Sequence, residues 1–68
     1  MQSRHINRLK VVLVEQSKTN KWLAEQLGKN ETTVSRWCTN EVQPNLVTLS
    51  RIAELLDLDI KELLNSSK

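Results

Sequence analysis

Phenylalanine and tyrosine are missing from this chain, and glycine, proline, cysteine and histidine occur once each. Without the commonest strand aromatics, with no Asn-Gly or Asp-Gly pair and few alternating stretches, the chain carries no hairpin signal. A lone Cys38 forms no internal disulfide, and one cysteine with one histidine furnishes no zinc site. That usage fits a reducing cytoplasm. His5 completes no ligand or catalytic set by itself and is expected to be solvated. No window approaches the ~20 apolar residues that span a bilayer, and the polar residues ahead of Asn7 lack the apolar region of an export signal, so a soluble, cytoplasmic chain is expected. There is no Ser, His and acid set, no glycine-rich phosphate loop and no acid pair suited to a cleft. Neither catalysis nor a cofactor or metal is therefore expected.

What is present is charge of both signs, unevenly placed. The 68 residues, expected to form one domain over 1–68, carry a net charge of +2. Through Asn40, seven bases (Arg4, Arg8, Lys10, Lys18, Lys21, Lys29, Arg36) face three acids (Glu15, Glu25, Glu31), a balance of +4. From Glu41 onward, three bases face five acids, a balance of −2. A basic first part suits a polyanion, and an acidic second part suits structural work or self-association.

Apolar residues recur at helical spacing throughout. Ile6, Leu9, Val12 and Leu13 form the stripe of a first helix reaching about Gln16, with Val11 and Val14 off it. Thr19 suits the N-cap of a second helix with Leu23, Ala24 and Leu27 inward, and Gly28 follows as its left-handed terminator. Asn30 suits the cap of a third, Glu31 to about Thr39, whose apolar members are Val34 and Trp37, and Asn40 tolerates the positive φ that ends it. After Pro44, Asn45 caps a fourth with Leu46, Leu49, Ile52, Ala53 and Leu56 inward. Asp59 and Glu62 have capping-box spacing for a fifth, with Ile60, Leu63 and Leu64 inward, and a frayed "NSSK" end. The expected fold is thus an all-α five-helix bundle.

The third segment is the informative one. Anchored by Val34 and Trp37 alone, it exposes Glu31, Thr32, Ser35, Arg36 and Thr39. Two helices joined through a glycine turn, the second presenting polar side chains, make a helix-turn-helix, here about 19–39. Polar side chains on such a face match the donors and acceptors of base edges in the major groove, and Arg36 suits guanine O6 and N7.

The run "TNKWLAEQLGKNETTVSRW" resembles the DNA-binding unit of the phage-repressor and Cro-like (XRE) transcriptional regulators, and "NEVQPNLVTLSRIAELLDLDIKELL" resembles that family's fourth and fifth helices. The shared motif comprises Leu23 and Ala24, Gly28, Val34, Trp37, Pro44, then Leu49, Ile52, Ala53 and Leu56. The resemblance covers nearly the whole chain. It implies a bundle that binds a double-stranded operator without catalysis, usually as a homodimer. Its base-reading slots fall on Glu31, Thr32, Ser35 and Arg36, and its phosphate-contacting slots on Thr19, Asn20, Asn30, Thr39, Asn40 and Gln43. Free N–H groups and the positive end of the dipole at helix N-termini favour several of these independently, and Lys21 and Lys29 add charge beside them. The implied dimer surface spans Glu41 to Val47 and Ile60 to Leu64. With no ligand domain in view, no small-molecule effector is expected.

The chain also departs from the family. Leu13 and Cys38 occupy slots that often hold an arginine and glutamate pair, so an apolar contact is expected to replace an ion pair. Asn40 stands where glycine is usual, Lys18 in a slot more often apolar, and Trp22 in one more often acidic. Trp22 with Val14 and Val11 could form an apolar patch outside the usual core. That patch supports an alternative reading, a protein-interaction module such as an antitoxin or coactivator. For Glu31 the competing role is favourable charge at a helix N-terminus, and for Arg36 a surface pair with Glu31.

Overall fold

A computed structural model describes residues 7–64. It contains four α-helices, α1 (Leu9–Glu15), α2 (Asn20–Leu27), α3 (Glu31–Cys38) and α4 (Leu46–Leu56), and a closing 3₁₀ turn, Ile60–Leu63. Among the described residues no strand forms; Asn7 and Leu64 meet in one isolated antiparallel bridge. The expected places of Ile6 in the first helix, of His5 in solvent and of the frayed 65–68 end lie outside the described residues.

The stripes converge on a common core. Leu9, Val12 and Leu13 of α1, Leu23 and Ala24 of α2, and Val34, Trp37 and Cys38 of α3 are buried together with Leu49, Ile52, Ala53 and Leu56 of α4 and Leu63. Each fully buried leucine contributes about 1.5–3 kcal/mol. Trp22, Leu27, Leu58 and Ile60 pack against this cluster without being fully covered. Val11 and Val14 remain exposed, as their offset from the stripe requires.

All four helices end the same way. Ser17, Gly28, Asn40 and Asp57 adopt positive φ of 59°, 68°, 63° and 59°. The residue after each donates back five positions, Lys18 to Leu13, Lys29 to Ala24, Glu41 to Arg36 and Leu58 to Ala53, in the Schellman pattern. At Gly28 no atom lies near where a Cβ would stand, so the left-handed backbone, not lack of space, favours glycine there. At the N-termini, the Thr19 hydroxyl accepts from Trp22 N–H and the Asn45 side chain from Thr48 N–H.

Three expectations need correction. The fold has four α-helices, not five: the last segment makes only a 3₁₀ turn, because Leu63 O accepts from Arg8 N–H at 2.8 Å and the next residue, Leu64, turns extended to pair with Asn7. Leu64 is consequently half exposed rather than inward. Leu46, expected inward on α4, is 69 % exposed, since it opens the first turn beyond the edge of the core.

Candidate nucleic-acid interface

α2 and α3 pack directly on each other through the Gly28 turn, with Ala24 buried at the crossing. α3 is held by Val34, Trp37 and Cys38 on one side. Glu31, Thr32, Arg36 and Thr39 on its other side are exposed, and Ser35 is partly so. A helix with a short apolar stripe and a polar outer face is mounted for presentation rather than for packing.

The residues expected to meet phosphates divide into three groups. Lys21, Lys29 and Asn30 are exposed. Asn30 occupies the N-cap of α3 without a side-chain bond to it, so the first amides of that helix and the Asn30 carboxamide keep their hydrogen-bonding capacity. Glu31 adds negative charge in that first turn, which opposes a phosphate beside it and fits a hydrogen-bond acceptor role better. Thr19 caps α2 through Trp22 N–H, Thr39 Oγ1 donates to Arg36 O, and Asn20 Oδ1 accepts from the Cys38 thiol at 3.3 Å. Thr19 and Thr39 are exposed and Asn20 is half-buried, and one bond engages each side chain.

Asn40 and Gln43 behave differently. Asn40 Oδ1 accepts from Asn7 N–H at 3.0 Å and from Gln43 Nε2 at 3.1 Å, and Asn40 Nδ2 donates to Asn7 O. Asn7 Nδ2 in turn donates to Gln43 Oε1 at 2.8 Å and to Trp37 O at 2.9 Å, and Asn7 Oδ1 accepts from Leu9 N–H. The three side chains form a clasp that ties the start of α1 to the end of α3 and the loop beyond it. Both ends of the Gln43 carboxamide are engaged. Gln43 is exposed, and among the described residues its backbone N–H has no protein acceptor.

Asn7 went unassigned in the sequence, although it is the one buried polar residue among those described. The signal was there: an asparagine two residues ahead of the first apolar position of a helix can accept from that residue's N–H. Its distant partners, thirty to thirty-six residues away, left no local trace.

Arg36 meets Glu41, not Glu31, with Nε 3.9 Å from the carboxylate and the two side chains 60 % and 65 % exposed. Such a pair is weak and yields readily to a stronger acceptor. Trp22 is half buried against the core, and the Lys18 ammonium stands 4.7 Å over its ring. The expected apolar patch is thereby reduced to Val11 and Val14. Leu13 and Cys38 lie in the same core and border the same hollow. Burial pushes the Cys38 thiol above its ordinary value, and the nearby Lys10 charge opposes that shift. Among the described residues no group of three potential metal ligands occurs, and no helix is long and apolar enough to cross a membrane.

The sequence model of the Cro/C1-type helix-turn-helix DNA-binding domain matches residues 8–68. The crystal structure of a Bacteroides fragilis protein, named as a candidate DNA-binding protein, is similar at 57 % sequence identity with a TM-score of 0.87, covering 88 % of this chain and 97 % of that one. No curated protein matches.

Proposed function

The chain belongs to the Cro/C1-type helix-turn-helix DNA-binding domain family, and from that premise we propose that it is a small cytoplasmic transcriptional regulator that lays α3 in the major groove of a double-stranded operator. The observation that carries this reading is the mounting of α3: it is held by one apolar stripe and presents Glu31, Thr32, Ser35 and Arg36 on the side away from the core. In this reading those four meet base edges, with Arg36 leaving Glu41 for guanine, the best bidentate match in the groove. Thr19, Asn20, Lys21, Lys29, Asn30 and Thr39 hold flanking phosphates. Asn40 and Gln43 contribute by shape: their clasped side chains fix the loop, and the Gln43 N–H points to the backbone of the DNA. The work is binding rather than catalysis, within one domain over 1–68.

One such module covers few phosphates and only a few base pairs, so we further propose that two copies act together. Exposed Val42, Leu46 and Val47, at 44 %, 69 % and 72 %, support a self-contact between copies through this stretch. Two recognition helices would then meet half-sites roughly 10 base pairs apart.

Binding-site selection on random duplex, followed by titration at several salt concentrations, tests the reading. An enriched sequence bound with a steep salt dependence is expected; binding without sequence preference and without salt dependence would refute it. Sedimentation of the complex tests the pairing: two chains per site are expected, and one chain on an asymmetric site of about half a turn would remove the dimer.

A further inference from the structure

Lys10 was assigned no role in the sequence beyond its charge, yet it occupies a distinctive place. It lies on α1 beside the buried stripe, exposed, with Leu13 and Val14 one turn further along the same flank. Two hollows open on that flank. One, of about 510 Å³, runs between the start of α1 and the end of α3, with Arg8 and Lys10 facing Thr39 and Asn40. The other, of about 300 Å³, brings Lys10 and Lys18 to Thr19, Asn20, Ser35 and Thr39. Lys10, Cys38 and Thr39 border both, so the two hollows meet across them.

The company is informative. Thr19, Asn20 and Thr39 are proposed phosphate contacts and Ser35 a proposed base contact, so the hollow places Lys10 on the DNA-facing side of the molecule although it belongs to neither helix of the helix-turn-helix. The other bases there are engaged: Arg8 Nη1 donates to Glu62 O, and the Lys18 ammonium stands over Trp22. Among the described residues Lys10 has no carboxylate partner. Lys10 stands near enough to Cys38, at the border both hollows share, for its charge to oppose the rise of the thiol.

We propose that this trough takes a phosphodiester of the DNA backbone, with Lys10 as its cationic ligand and Thr39 and Asn20 as neutral neighbours. The contact extends the interface from α2 and α3 onto α1, one phosphate beyond the helix-turn-helix. It rests on the proposed docking of α3 in the groove.

The test is a set of titrations of the full chain on random-sequence duplex across a range of salt concentrations, comparing wild type with Lys10→Gln, Lys10→Arg and Arg51→Gln, the last removing an exposed charge outside both hollows. Removing one phosphate contact lowers the slope of log affinity against log salt by about 0.9. Lys10→Gln is expected to show that loss with a several-fold drop in affinity, Lys10→Arg to keep the wild-type slope, and Arg51→Gln to leave it unchanged. Thermal melts separate folding from binding, since an exposed lysine should not move them. If wild type binds with a steep slope and Lys10→Gln keeps it, the phosphate site is overturned while the DNA reading stands. If wild type itself shows no salt dependence, the DNA reading fails and the site with it.

Discussion

Replacing Asn7 by alanine should cost this small protein about 2–3 kcal/mol. The residue is 4 % exposed, and its side chain makes three hydrogen bonds: from Leu9 N–H, to Trp37 O and to Gln43 Oε1. The three losses differ in kind. Leu9 is fully buried, so its N–H loses its acceptor out of reach of water, a penalty of about 1–3 kcal/mol. Trp37 O still accepts from Asn40 N–H at 3.1 Å, and Gln43 is exposed and turns to solvent, so these two losses cost about 0.5–1 kcal/mol each or less. A 68-residue domain holds roughly 3–10 kcal/mol in total, so the melting temperature should fall by roughly 10–20 °C. Denaturant titration followed by tryptophan fluorescence measures it, because Trp37 lies under the clasp. Asn7→Ser, which retains an acceptor for Leu9 N–H, should recover about half. A change below about 0.5 kcal/mol in Asn7→Ala would mean that water or another side chain satisfies Leu9 and that the clasp holds nothing.

Other outcomes follow from the same contacts. Cys38→Glu should destabilise by leaving a largely buried charge unpaired and Leu13→Arg added to it should restore much of the loss; strictly additive effects in the double mutant would mean the two side chains do not meet. Because the folded thiol of Cys38 titrates above its unfolded value, its contribution to stability is complete below the unfolded value and declines as pH rises through the folded one. Stability of wild type should therefore fall relative to Cys38→Ala across the alkaline range, and parallel curves would dismiss the burial of the thiol. Ser17→Gly should raise stability by roughly 0.5–1 kcal/mol in a thermal melt, since a non-glycine residue there holds φ of 59°; no gain would indicate that the serine side chain compensates.

The core was readable because helical spacing is local information: Leu9, Val12 and Leu13, or Leu49, Ile52, Ala53 and Leu56, announce an inward face without knowledge of what they meet. Helix ends were readable for the same reason at Thr19, Gly28, Asn40 and Asn45, where one residue's chemistry decides. Leu46 and Leu64 misled because the spacing says which side of a helix is apolar but not where the core stops. The fifth helix failed at a contact between chain segments far apart in sequence, the bridge of Leu64 to Asn7. The site shows the same division. Exposure of Glu31, Thr32 and Arg36 follows from the sparse apolar stripe of α3, whereas the partners of Asn40 and Gln43, and the shared hollow that places Lys10 beside Thr39, depend on how α1 crosses the end of α3.

On the proposed docking, α3 reads base edges while the residues around it hold the backbone. The ratio of affinities for the selected operator and for random duplex, measured at one salt concentration for wild type, Arg36→Ala and Lys29→Ala, separates these two roles. Arg36→Ala is expected to lose ~1–3 kcal/mol on the operator, with relaxed preference at one base pair per half-site and little change on random DNA. Lys29→Ala should weaken both duplexes alike and leave the ratio intact. Equal losses on both duplexes for Arg36→Ala would remove base reading from α3, because its outer face would then be holding phosphates rather than reading sequence.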